Sequence, residues 1–154
     1  MTALVLHNIR SVHNVGSIFR TADAAGVTQI ILSGYTPTPL DRFGRPRKDF
    51  AKVSLGAEQT VPWEHVESFA DAVVKVKDAG CTVVALEQDP ASVPLFEYKP
   101  STKNIALVLG SEVDGILKDE LALCDAVVEI PMRGTKESLN VSVAAGIALF
   151  ALLK

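Results

Sequence analysis

Five short aliphatic runs constrain this chain more than any other feature. They are ALVLH at 3–7, QIILS at 29–33, TVVAL at 82–86, IALVL at 105–109 and AVVEI at 126–130. None alternates cleanly between apolar and polar residues, so each reads as a strand covered on both faces rather than on one. Between them, apolar residues recur at helical spacing over Val15–Ala25, Val66–Ala79, roughly Leu117–Leu123 and Leu139–Leu153. Strands alternating with helices predict an α/β domain with a mostly parallel sheet and helices on both faces. In such sheets ligands sit outside the carboxyl ends of the strands. Here those ends are 8–14, 86–89, GSEVDG at 110–115 and PMRGTKES at 131–138, and the last three are expected to form one small-molecule site.

At 154 residues the chain is expected to be a single domain, 1–154, with one core. Hydrophobic residues make up 48% and charged residues 21%, which excludes a disordered chain. The N-terminus runs into an apolar segment without a basic region before it, so no signal peptide is expected. The longest apolar run, Val143–Leu153, is too short for a bilayer span of about 20 residues. A cytoplasmic protein with no membrane partner is therefore expected. Cys81 and Cys124 lie far apart in apolar surroundings and read as buried free thiols. His7, His13 and His65 show no ligand spacing, and no metal is expected. No Gly-x-Gly, no Gly-Lys pair and no Gly-x-Ser-x-Gly occurs, so the dinucleotide fingerprint, the Walker A loop and the hydrolase elbow are all absent.

Residues 14–27, NVGSIFRTADAAGV, carry one odd member, Arg20. Asn14 can cap this helix and Gly26 can end it in a left-handed turn. Arg20 then falls near the helix start, where the dipole disfavours a cation. It reads either as an exposed surface residue or as a functional guanidinium. Net charge is −3, against a strongly basic nucleic-acid binder. However, YTPTPLDRFGRPRKDF at 35–50 holds Arg42, Arg45, Arg47 and Lys48 against Asp41 and Asp49, interleaved with Tyr35, Phe43 and Phe50. Cations among aromatics suit phosphate contact and base stacking, although a solvated loop without a partner has the same composition.

Three segments together resemble a known family. HNIRSVH with NVGSIFRTADAAGV, then ALVLGSEVDGI at 106–116, then VEIPMRGTKESLNVSVAAGIALF at 128–150, are similar to the three motifs of the SpoU/TrmH family. That family belongs to the SPOUT superfamily of S-adenosylmethionine-dependent RNA 2′-O-ribose methyltransferases. KVSLGAEQTVPWEH at 52–65 and VVALEQ at 83–88 extend the likeness over essentially the whole chain. Where relatives often place Asp-Pro before the first-motif Asn, this chain has Val12-His13. The resemblance implies an α/β knot, with the C-terminal segment threading a loop to form a deep trefoil. It implies S-adenosylmethionine as cofactor, tRNA or rRNA as substrate, and a homodimer of the minimal, catalytic-domain-only type. A non-catalytic RNA-binding or assembly protein that kept the fold is the alternative, and loss of Arg20, Glu112 or Asn140 would have favoured it.

Carried over residue by residue, the resemblance places Arg20, Asn14, Glu112, Ser138 and Asn140 at the reacting centre. It places Leu86, Gly110, Ile130, Met132, Ser138 and Leu139 along the cofactor. From the residues alone, Leu86, Ile130 and Leu139 read as core. Glu112 reads as a cap near Ile116, whereas the resemblance makes it a brace that hydrogen-bonds loop amides. Ser138 and Asn140 read as caps of the last helix. That helix, VSVAAGIALFALL, is apolar nearly all round, which fits burial both in the core and against a second subunit.

Overall fold

The computed structural model describes residues 1–154. Seven strands, β1 (Thr2–His7), β2 (Gln29–Ser33), β3 (Trp63–Val66), β4 (Thr82–Leu86), β5 (Val93–Pro94), β6 (Ile105–Leu109) and β7 (Ala126–Glu129), form one sheet. Its order is β3-β2-β1-β6-β4-β7-β5, and every neighbouring pair is parallel. Successive side chains of a strand point to opposite faces. Leu4, Leu6, Ile30, Leu32, Val84, Leu107, Leu109 and Val128 therefore face one way. There they meet α1 (Val12–Ala25), α2 (Lys48–Ser54), α3 (Ala57–Thr60) and α6 (Val141–Leu152). Ala3, Val5, Ile31, Val83, Ala85, Ala106 and Val108 face the other way, onto α4 (Phe69–Asp78). Two apolar faces explain why the five runs show no two-residue period. α5 (Lys118–Leu121) completes this second side.

Several boundaries differ from the sequence reading. The cap of α1 is Ser11, whose hydroxyl accepts the Asn14 amide at 3.1 Å, not Asn14 itself. Val12 packs against the core, and that burial extends the helix forward by most of a turn. Val12-His13 is accordingly the first helical turn, and Arg20 lies past the helix midpoint rather than near its start. The dipole argument against a cation there does not apply. The segment expected as one helix from Val66 splits: β3 ends at Val66 and α4 begins after Ser68, which accepts the Asp71 amide at 3.1 Å. Ser138 does not cap α6. Asn140 does, accepting from the Ser142 and Val143 amides at 2.9 and 3.4 Å. The short elements α2, α3, β3 and β5 have too few periodic residues to stand out in sequence.

Phe50 is likewise not part of an RNA-facing aromatic cluster. It is fully buried and meets the ring of Phe19 edge-on at 5.1 Å. A phenyl ring in such a site contributes several kcal/mol, about 3–5 on truncation, to the core beneath α1. On the opposite face His7 is buried between Ser33 Oγ (2.9 Å) and Glu120 Oε2 (2.7 Å), tying the ends of β1 and β2 to α5. Cys81 is buried and Cys124 partly so, both unpaired. Burial pushes the Cys124 thiol up to about 11. No helix is long and apolar enough to cross a membrane.

Candidate functional site

A cleft of about 620 Å³ opens at the carboxyl edge of the sheet. It is bounded by 86–88 after β4, 109–115 after β6, and 129–144 from the end of β7 into α6, with parts of the last segment facing away. This is where a parallel sheet places ligands, and the volume lies in the range of cofactor pockets. Leu86, Gly110, Glu112, Ile130, Met132, Ser138, Leu139 and Asn140 all line it.

The walls are held by contacts that cross long stretches of sequence. Glu87 Oε2 accepts the Ile116 amide at 2.9 Å, anchoring the 110–116 loop to the end of β4. Gln88 Nε2 donates to the Glu137 carbonyl at 2.6 Å and fastens the 131–139 segment to the same strand end. That segment makes no backbone–backbone hydrogen bond. The Glu137 carbonyl aside, its backbone polar groups are, in this largely exposed segment, open to a ligand edge. Gly110 lets the 110–116 loop pack closely over it. A Cβ there would meet Ile116 Cγ1 at 2.6 Å and the Gly115 carbonyl at 2.8 Å, so any side chain would force the 110–116 loop outward.

Glu112 is exposed at the rim, and its Oε2 accepts the Arg10 amide at 3.2 Å. It braces the 8–11 segment against the 111–115 loop. The cap near Ile116 is supplied instead by Glu87, with Glu120 Oε1 accepting from Leu117 at 2.9 Å. Asn14 is adjacent to the cleft rather than in its lining: its Oδ1 accepts from Asn140 Nδ2 at 3.2 Å, joining α1 to the start of α6. Arg20 does not line the cleft. It projects into solvent from α1 with no carboxylate partner. Glu87 and Gln88 lie in the 86–89 strand end expected at the site but carry no expected role there, and Glu129 was not expected to line it. Their one sequence signal is position, at or just beyond the carboxyl end of a strand.

The basic segment stands apart from the cleft as a closed turn. Asp41 N–H donates to the Arg45 carbonyl at 2.8 Å, and Arg47 N–H to the Pro39 carbonyl at 2.9 Å. Asp41 Oδ1 accepts the amides of Phe43 (2.8 Å) and Arg45 (2.9 Å), and the Arg45 amide chiefly holds this carboxyl below its usual range. Arg45 pairs with Asp41 at 3.3 Å and Arg47 with Asp49 at 3.0 Å, leaving Arg42 and Lys48 without acidic partners. Lys48 is the first residue of α2. No three His, Cys, Asp or Glu side chains gather as a metal site.

The profile of the SpoU rRNA Methylase family matches residues 1–150. The chain belongs to that family. Among relatives of this SpoU chain is the 23S rRNA (guanosine-2′-O-)-methyltransferase RlmB of Ralstonia nicotianae, 38% identical over 152 residues. That match covers 98% of this chain and 57% of the relative, so the SpoU chain spans little more than half the length of such relatives. Among solved structures, the AdoMet-bound rRNA methyltransferase from Sinorhizobium meliloti superposes with a TM-score of 0.85 at 29% identity. It covers 97% of this chain and 54% of that one. The A. aeolicus TrmH/SpoU tRNA modifying enzyme superposes with a TM-score of 0.82 at 27% identity, covering 97% of this chain and 72% of that one.

Proposed function

We propose that residues 1–154 act as one catalytic domain that methylates a ribose 2′-OH in rRNA or tRNA, with S-adenosylmethionine as the methyl donor. One observation carries this reading: in a chain of the SpoU family, the three loops at the ends of β4, β6 and β7 converge on a single cofactor-sized cleft. The donor set fits the cofactor. The backbone groups of 131–139 other than the Glu137 carbonyl suit an adenine edge, Leu86, Ile130, Met132 and Leu139 supply apolar lining, and Gly110 lets the loop that walls the cleft fold tightly. When bound, S-adenosylmethionine supplies an electrophilic sulfonium methyl.

The chain's own residues then have to position the hydroxyl, and positioning alone can supply about 7–11 kcal/mol of a two-body barrier. Asn140, fixed by its cap bonds and by Asn14, and Ser138 beside it orient the 2′-OH. Arg20 holds an RNA phosphate and the reacting hydroxyl. A guanidinium stays charged and offers a planar fork, so anchoring suits it better than proton abstraction. Glu112 keeps the rim closed through Arg10. Arg42, Arg45, Arg47 and Lys48 contact the RNA backbone. The 2′-OH also makes RNA, not DNA, the substrate.

The domain works as a homodimer in the cytoplasm. Val143 and Phe150 leave an exposed apolar strip along α6, with Phe150 59% exposed, which supports a second subunit completing the site near Arg20. The trefoil knot of the family is part of the same reading. β6 lies between β1 and β4, and the 131–139 segment faces the 110–115 loop across the cleft, in keeping with a threaded C-terminus. The test is reaction of rRNA and tRNA fractions with labelled S-adenosylmethionine, followed by mass spectrometry of nucleosides. A labelled 2′-O-methyl nucleoside is expected. RNA that stays unlabelled in every fraction would overturn the assignment.

A further inference from the structure

We infer that the 40–47 turn is a platform on which Phe43 stacks one unpaired base of the RNA, so that the substrate presents its target nucleotide beside an unpaired segment rather than within continuous duplex. This rests on the RNA reading above and extends it.

The turn leaves the carboxyl end of β2, the same edge that carries the cleft. β2 is separated from β6 only by β1, so its end stands about 10 Å, two strand spacings, from where the cleft begins. Its root is locked to β1. Asn8 has a positive φ of 56° and accepts the Tyr35 amide at 3.0 Å. Gly34 is left-handed at φ 63°, and a Cβ there would collide with the Asn8 side chain. Thr36 Oγ1 donates to the Leu6 carbonyl at 2.9 Å and accepts the Ile9 amide at 3.1 Å. The hydrogen bonds of Asp41 then fix the tip.

On this braced tip Phe43 is 64% exposed and packs into neither core cluster. An apolar ring held in water at this place adds nothing to either core. The guanidinium carbons of Arg42 and Arg45 each lie 4.8 Å from its centroid. Arg45 is tied to Asp41, whereas Arg42 has no carboxylate. A guanidinium over an exposed ring is held more weakly than a stacked base. A base therefore takes the place of Arg42 on the ring, and Arg42 turns to the adjoining phosphate. Only a base free of its own neighbours can do this, because duplex bases already have both faces covered.

The test compares binding of a hairpin with an unpaired loop and of a blunt duplex of the same composition, by fluorescence anisotropy across a salt series. Phe43→Leu keeps bulk and charge but removes the π-face. It should weaken hairpin binding about tenfold, leaving duplex binding and the salt slope unchanged, with Phe43→Trp restoring the hairpin affinity. Arg42→Gln should instead lower the salt slope by about one unit. Unchanged hairpin binding in Phe43→Leu, or equal loss on both probes, overturns the platform while leaving the RNA reading intact. Wild-type protein that binds neither probe overturns the RNA reading and the platform with it. Thermal melting checks that each variant is folded.

Discussion

Arg20 follows two fully buried residues, Ile18 and Phe19, yet projects into solvent and pairs with no acid. A residue so placed contributes little to folding, and Arg20→Ala should change stability by no more than about 0.5 kcal/mol. Methyl transfer should nearly vanish in the same variant, and fall less in Arg20→Lys, which keeps charge but loses the planar fork. Calorimetry should find S-adenosylmethionine bound with near wild-type affinity, because the cleft lining does not include this side chain. Transfer retained in Arg20→Ala would sink the anchoring role, and lost cofactor binding would move Arg20 into the cofactor site. Arg20 is an unusual residue in this sequence, but not on account of the helix dipole. The helix starts at Val12, so the cation is not at its positive end.

At the scale of elements, the site depends on loops being held together rather than on any one strand or helix. The 110–116 loop folds back on itself over Gly110 and is pinned by Glu87. Gly110→Ala should push that loop outward and weaken S-adenosylmethionine binding at least tenfold by titration calorimetry. The strands beneath should remain intact, because the collision falls on loop atoms rather than on the buried run Ile105–Leu109. Unaltered cofactor affinity would mean that the loop yields freely and is not a wall of the site. The strand runs were legible here because five of the seven strands carry a plain aliphatic signature, four of them mostly buried. The two shortest or most exposed, β3 and β5, lack it. The roles of Glu87 and Gln88 were not legible, since each acts on a partner 29 or 49 residues away.

For the molecule as a whole, α6 poses the remaining demand. Ala145, Ala148, Leu149 and Leu152 are buried under the sheet, while Val143 (51% exposed) and Phe150 leave apolar surface on the opposite side. A helix apolar on both sides buries only half its surface in one subunit. Multi-angle light scattering at micromolar concentration should return twice the 16.4 kDa chain mass. Phe150→Glu should lower that mass toward the monomer and reduce methyl transfer, if a second subunit completes the site. A monomeric wild type would remove the dimer.

The sequence by itself determined what local composition can encode. Aliphatic runs without a two-residue period required a doubly covered parallel sheet, and three ordered motifs carried the family. Tertiary structure alone decided which side chains meet. Asn14 bonds Asn140 across 126 positions, Glu112 reaches Arg10 across 102, and of the interleaved aromatics Phe50 entered the core while Phe43 stayed in solvent. Such contacts follow from the strand order, which places β6 between β1 and β4. That order is set by the summed burial of whole faces against one another, and no short window of sequence carries it.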